Sequence, residues 1–303
     1  MVTDIHIILT YKCILECDHC FLYSSPRAQG TMTIQQIRFV LLESQKIKSI
    51  KWIYFEGGEP LLFYPLLLEG IRFAKNMGFK VGLVTNAYGA ISKEDAEIWF
   101  KPLLVEGIDC LSISDDSFHF GDVDSPSKRG LLVAKKLGIP TFPISIQQPY
   151  VDSVKREGRE KGSPIIGGGA KFRGRAVEKL IGRLPHRSCG EFIKCPYEDF
   201  ENPSRVHVDC YGNVQLCQGI SMGNMWEYPL SKLVDEYDVD LHPICGPLSK
   251  GGPFLLAKKY GSNIEKEYID ECHFCYSIRK KLINRFVKLL TPKQVYGIET
   301  TVI

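Results

Sequence analysis

The chain has 303 residues, enough for one elaborated α/β domain or a domain with a smaller appendage. Its net charge of +3, with 44 % hydrophobic and 24 % charged residues, fits a soluble globular protein and gives no case for nucleic acid or an anionic membrane surface. Met1 to Thr10 lacks the features of a signal peptide, and no apolar run approaches the roughly 18 residues of a membrane span, so the expected location is cytoplasmic.

Ile5–Leu9 reads as the first strand, followed at once by Cys13, Cys17 and Cys20 in "TYKCILECDHCFL". Thr33–Ser44 has apolar residues at 34, 37, 40 and 41, which is helical spacing, with Thr33 as N-cap. Trp52–Glu56 is a second strand running into Gly57-Gly58, and a helix over Pro65–Asn76 stops before Gly78. Strand Lys80–Asn86, helix Ser92–Phe100, strand Cys110–Ser114, helix Pro126–Leu137 and strand Thr141–Gln147 follow, with a short sixth strand at Ser163–Gly167. This alternation predicts a parallel sheet with right-handed crossovers, whose chemistry collects at the carboxyl ends of the strands. Four of those ends carry the cysteine loop, "EGGEP", "TNAYG" and "SDDSFH".

Beyond Arg183 the character changes. "GRLPHRSCGEFIKCP" reads as a linker, and two β-type runs flank Tyr211-Gly212-Asn213 as a hairpin. Helices are expected near Ser231–Tyr237 and Pro253–Tyr260, then "ECHFCYS", then a basic helix over Ile278–Leu290 with a solvated charged face. No repeat or low-complexity segment interrupts the chain.

Eleven cysteines, an odd number without a secretion signal, favour metal or redox chemistry over a disulfide framework. A single buried thiol such as Cys110 is ordinary core, but clustered ones are not. Three cysteines make an incomplete cage for zinc, and His19, wedged between Cys17 and Cys20, is a tight fourth ligand. A [4Fe–4S] cube takes one ligand per iron, so three thiolates leave one iron open.

The C-x3-C-x2-C loop after the first strand, with a GGE motif after the second, resembles the radical S-adenosylmethionine (SAM) enzymes. The resemblance covers most of residues 1 to 180. It implies an α/β fold: a partial (β/α)6 TIM-like barrel with a smaller C-terminal cluster-binding extension, divided as residues 1–185 and 186–303. It also implies that Cys13, Cys17 and Cys20 hold a [4Fe–4S] cluster whose open iron takes the methionine end of SAM. His19 would lie against the adenine, and Gly57, Gly58 and Glu59 would meet the methionine amino group. Asn86 resembles the family's residue at the third strand end, or is a turn residue tolerating positive φ. Ser114 and Asp115 match a position that contacts SAM ribose or carboxylate, or cap a turn. His119 lines the substrate space or is structural. Arg173 and Arg175 resemble a "GRA" segment, from which one side chain reaches the SAM carboxylate or a substrate carbonyl; surface solvation of the pair is the equal alternative.

The later cysteines resemble the SPASM or shorter twitch extensions, which fold around auxiliary [4Fe–4S] clusters. One such cluster is expected, held by Cys195, Cys217, Cys272 and Cys275, with Cys189 as competitor and zinc as the alternative metal. Four thiolates close the site, which suits electron transfer or structure. Over the whole chain the resemblance is to radical SAM peptide epimerases. Their hydrogen-donor thiol follows the hairpin cysteine, where this chain has Gln218. Cys210 or Cys245 would have to supply the thiol instead. The expected activity is hydrogen abstraction from a residue of a ribosomally made peptide, ending in epimerisation, crosslinking or dehydrogenation. An electron donor such as flavodoxin or ferredoxin is implied. The alternatives are a radical SAM enzyme for a small metabolite and a non-catalytic iron–sulfur or zinc protein.

Overall fold

The computed structural model of the protein describes residues 1–121, 124–152, 165–261 and 264–298. In chain order its elements are β1 (Asp4–Thr10), α1 (Ile34–Gln45), β2 (Trp52–Gly57), α2 (Tyr64–Asn76), β3 (Lys80–Thr85), α3 (Lys93–Val105), β4 (Cys110–Ser114), α4 (Pro126–Lys136) and β5 (Thr141–Ile144). Then come β6 (Tyr150–Asp152), β7 (Ile165–Gly167), α5 (Ala176–Lys179), β8 (Arg187–Ser188), β9 (Arg205–Asp209), β10 (Asn213–Cys217) and β11 (Ile220–Asn224). The chain closes with α6 (Leu230–Asp235), α7 (Cys245–Tyr260), β12 (Glu267–Tyr268) and α8 (Glu271–Leu282).

The α/β reading holds. Strands β1 to β5 are parallel neighbours in sequence order, joined by α1 to α4, inside an eight-stranded sheet ordered β11-β10-β9-β1-β2-β3-β4-β5. One sheet face is apolar: Ile5, Ile7, Ile53, Phe55, Val81, Leu83, Leu111 and Ile113 are fully buried, as are Ile37, Val40, Leu41, Leu67 and Ile71 from α1 and α2. Strand residues alternate faces. The alternate residues His6, Tyr54, Glu56, Val84, Ser112 and Ser114 therefore look the other way, into a cavity.

Local signals account for most boundaries. Thr33 and Gln36 form a capping box at α1, with Gln36 N donating to Thr33 Oγ1 at 3.2 Å. Ser92 and Asp95 do the same at α3, which continues past Phe100 to bury Leu103. Helix α8 begins at Glu271, capped by Asp270, so Cys272 and Cys275 sit in its opening turns; it ends at Leu282, short of the expected Leu290. Helix α7 begins at Cys245, well before Pro253, and is kinked at Gly251-Gly252.

Two features depart from the expected layout. The sixth strand is not a sixth barrel strand: β7 pairs antiparallel with β6 in a separate two-stranded sheet, and Ser163 and Pro164 lie outside the described residues. The expected boundary at residues 185/186 falls between α5 and β8, yet the main sheet crosses it. Strand β9 lies parallel to β1, with His6 opposite His207, and carries the β10–β11 hairpin with it.

Candidate active site and a four-cysteine pocket

The loop after β1 folds back on itself. Tyr11 N donates to Gly30 O at 3.0 Å and Cys13 N to Ser25 O at 3.1 Å. Arg175 is buried and braces it, its Nη1 on Cys17 O at 2.7 Å and its Nη2 on Ser24 O at 2.8 Å. Surface solvation is therefore not its role. Cys13, Cys17 and Cys20 all line a cavity of about 440 Å³. Burial, aided by the neighbouring thiols, pushes Cys13 and Cys17 up to about 12 as free thiols. A metal centre removes those protons outright.

Gly57 and Gly58 carry the end of β2 against this loop. Gly58 N donates to Thr10 O at 2.7 Å and Glu59 N to Lys12 O at 2.9 Å. A Cβ on Gly57 or Gly58 would overlap the backbone carbonyl of Thr10 or Lys12, and Gly57 has φ +138°. The pair is thus required by close backbone approach, beyond the needs of a turn. Both glycines line the cavity.

Glu59 departs from the role the resemblance implied. Its carboxylate is fully buried and accepts from Thr85 Oγ1 at 2.6 Å, Asn86 N at 2.8 Å and Leu61 N at 3.0 Å. Protein donors occupy both oxygens, and Glu59 does not line the cavity. Burial raises its carboxyl to about 6 against those hydrogen bonds. Asn86 does line the cavity. Its Nδ2 lies 3.8 Å from Cys13 Sγ while its Oδ1 accepts Tyr88 N at 3.0 Å, so it serves the loop and the turn together.

At the end of β4, Ser114 lines the cavity and Asp115 does not; the backbone N–H of Asp115 is spent on Ile144 O at 2.8 Å. The next carboxylate, Asp116, does the local work. It takes His119 Nδ1 at 2.7 Å and Ile146 N at 3.1 Å. His19 and His119 both line the cavity, with ring centroids 5.2 Å apart. Burial, with His119 adding to it, pushes His19 down to about 4, so its ring is neutral, and its buried Nδ1 has no partner among the described residues.

A second polar group went unread in the sequence. Glu56 Oε2 meets His6 Nδ1 at 2.9 Å and Glu56 Oε1 meets His207 Nδ1 at 2.8 Å. Burial opposes the charge on Glu56, but the two imidazoles outweigh it and hold the carboxyl well below the usual carboxylate range. An ionised carboxylate only accepts, so both Nδ1 atoms carry hydrogen, and burial holds His207 below its ordinary value. His207 Nε2 faces Gln218 Nε2 at 3.5 Å. His6 lines the cavity, and its Nε2 has no partner among the described residues. The available signal was a lone polar residue at alternating positions in "IHIIL" and "YFE".

Arg173 lies elsewhere than expected. It is buried beside a second pocket, with Nη1 donating to Cys217 Sγ at 2.8 Å. Cys195, Cys217, Cys272 and Cys275 all line that pocket, together with Arg279, Glu198, Tyr197 and Phe200. Cys189 is not part of its lining.

The thiol-donor candidates fail on position. Cys210 packs by Gly30 and Tyr211, and Cys245 is buried at the start of α7, where its N–H meets His242 Nδ1 at 3.0 Å. Neither lines the 440 Å³ cavity. Cys110 is buried on β4 beside Tyr54, a core thiol.

A parallel sheet bearing an open three-cysteine loop at one strand end, backed by a glycine pair at the next, defines the class. It fits the radical SAM enzymes that the sequence resembles, and the chain is similar to the two biosynthesis proteins below. It is 25 % identical over 291 residues to the putative peptide biosynthesis protein YydG of Bacillus subtilis (strain 168), covering 94 % of this chain and 83 % of that protein. It is 30 % identical over 118 residues to the antilisterial bacteriocin subtilosin biosynthesis protein AlbA of the same strain, covering 37 % of this chain and 25 % of AlbA. Among solved structures, BtrN in complex with AdoMet and 2-DOIA shares the fold, with a TM-score of 0.50, 16 % identity, and 77 % of this chain and 82 % of that one covered. No protein-family model matches the chain. Among the described residues, no helix is long and apolar enough to cross a membrane.

Proposed function

We propose that the chain is a radical SAM enzyme that oxidises a residue of a ribosomally made peptide, by crosslinking or dehydrogenation. The observation that carries the oxidative reading is the cavity lining: among the described residues its only thiols are Cys13, Cys17 and Cys20. With those three committed to iron, epimerisation has no thiol to return a hydrogen.

In this reading Cys13, Cys17 and Cys20 hold a [4Fe–4S] cluster, and the open side of their cage faces the cavity. SAM bound there supplies a 5′-deoxyadenosyl radical that removes a hydrogen atom from the substrate. The backbones of Gly57 and Gly58, with Asn86 and Ser114, cradle the methionine and ribose, and neutral His19 lies along the adenine. Glu59 fixes the position of Asn86. His6 Nε2, oriented through Glu56, takes the proton that leaves the substrate after the hydrogen atom. An auxiliary cluster held in the second pocket would take the remaining electron. A flavodoxin or ferredoxin supplies the electron that starts each turnover.

The second pocket fits an auxiliary [4Fe–4S] cluster held by Cys195, Cys217, Cys272 and Cys275. The Nε atoms of Arg173 and Arg279 are buried there without partners among the described residues, as expected where an anionic group belongs. The division at residues 185/186 separates the three loop cysteines from the four auxiliary ones, while Arg173 joins the later set.

The test is anaerobic turnover of fully reconstituted protein with dithionite, SAM and the product of a short neighbouring open reading frame. The expected result is 5′-deoxyadenosine and a peptide lighter by two hydrogens. No 5′-deoxyadenosine would falsify the enzyme reading. A peptide of unchanged mass with an inverted residue would replace oxidation by epimerisation, and an oxidised small metabolite with an untouched peptide would replace the substrate.

A further inference from the structure

We propose that Arg173 and Arg279 are counter-ions that raise the reduction potential of the cluster in the four-cysteine pocket, poising it to accept the electron that the substrate radical gives up. This rests on reading the pocket as a [4Fe–4S] site.

The two cations are unusually placed. Arg173 is 4 % exposed and Arg279 is 1 % exposed, and both line the pocket. A guanidinium keeps its charge at any physiological pH, so burial cannot neutralise it. Such a charge is tolerated in the interior only beside an opposite one. Arg279 has no acidic partner among the described residues: its Nη1 donates to Gln218 O at 2.9 Å and to the Tyr296 hydroxyl at 3.1 Å. Arg173 has one distant carboxylate, Glu198 Oε1 at 3.8 Å, and Glu198 Oε2 also takes Arg205 Nη2 at 3.2 Å. Glu271, the other acidic residue in the lining, is turned toward Arg187 at 4.0 Å. The two guanidinium groups are thus buried more deeply than the two carboxylates of the lining, Glu198 and Glu271, which other arginines share.

The missing anion is the one that four thiolates make. A [4Fe–4S] core with four cysteine ligands carries two negative charges when oxidised and three when reduced. Two guanidinium groups match the first state and favour the added charge of the second. The Arg173 Nη1 bond to Cys217 Sγ acts in the same direction, since N–H donors to ligand sulfur raise the potential. Arg173 also joins the two sites. Its guanidinium lies over the Phe21 ring, 5.2 Å from the centroid, and Phe21 lines the SAM cavity.

The test is EPR-monitored redox titration of the reconstituted full chain, with iron, sulfide and zinc measured on the same samples. Arg173→Met and Arg279→Met are each expected to lower the second cluster's potential, changing its reduced-to-oxidised ratio at least tenfold, which is about 59 mV for one electron. Arg279→Lys restores the value through charge alone, although it loses the fork of hydrogen bonds. Glu198→Gln shifts the potential upward, a sign that a loosened fold does not produce. Wild-type potentials in both Met variants, at full iron content, overturn the proposal. Should either Met variant lose the cluster, Glu198→Gln decides: an upward shift supports the counter-ion role and no shift overturns it. Wild-type protein with zinc, or with iron for one cluster only, sinks the reading of the pocket itself and the counter-ion role with it.

Discussion

Glu59 at the end of β2 accepts the hydroxyl of Thr85, the last residue of β3, at 2.6 Å, and so ties two adjacent strand ends together beneath the cavity. Its second oxygen holds the N–H of Asn86, which in turn reaches toward Cys13. The acidic residue of the GGE motif is here a brace for the site, and its chemistry makes that testable. Burial raises its folded-state carboxyl to about 6. A carboxyl raised above its unfolded value binds more protons in the folded state, so stability from this group grows as pH falls through 6 toward 4.5 and is lost as pH rises. Thermal melts of wild type and Glu59→Gln, taken from pH 7.5 to 4.5, are expected to move apart by about 2 kcal/mol in favour of wild type at the acid end. Parallel pH profiles for the two proteins would show that the carboxyl does not titrate in this way.

Gly58→Ala places a methyl against the carbonyl of Lys12, where backbone cannot give way cheaply. The cysteine loop is expected to shift by a fraction of an ångström or more. 5′-Deoxyadenosine formation should fall by about 100-fold, as misplacement on this scale costs elsewhere. Iron in the four-cysteine pocket should be retained, which separates a local displacement from a general loss of fold. Normal turnover with alanine at this position would mean that the two loops are not packed as tightly as described.

Glu56→Gln removes the carboxylate that fixes the tautomers of His6 and His207. A glutamine amide offers one acceptor and one donor in place of two acceptors, so one of the two Nδ1–H groups loses its partner. Hydrogen abstraction does not need that acceptor, whereas proton removal from the substrate does. The expected signature is 5′-deoxyadenosine formed at close to the wild-type rate, with oxidised peptide reduced by about 100-fold. Equal loss of both products would assign the residue to SAM binding or folding.

Cys210→Ala and Cys245→Ala are expected to leave the yield of modified peptide unchanged, because neither thiol lines the cavity. Cys245 is fully buried, so its variant should melt earlier, by about 1 kcal/mol for the small void left behind. Loss of product with 5′-deoxyadenosine intact in either variant would return a donor thiol to the mechanism.

Signals confined to a few neighbouring residues were legible in the chain alone. The three-cysteine loop, the glycine pair, the Thr33 and Ser92 caps and the order of strands β1 to β5 each depend on contacts within one or two elements. Cys195, Cys217, Cys272 and Cys275 were the preferred set by resemblance, with Cys189 as competitor, and these four line one pocket. The sequence determined the three-cysteine loop and the glycine pair because spacing within a loop is itself the geometry.

Only the tertiary structure decided where several of them point. Arg173 belongs to the four-cysteine pocket because β10 delivers Cys217 to it from across the sheet. His6, Glu56 and His207 converge because β9 pairs beside β1, a contact between residues about 200 positions apart that no local periodicity encodes. Glu59 faces inward because Thr85 and Asn86, on a neighbouring strand end, offer donors that a buried carboxylate cannot forgo. Buried charge is settled by whatever partners the fold brings within reach. That is why Arg173, Arg279, Glu56 and Glu59 became interpretable only once the strands were in register.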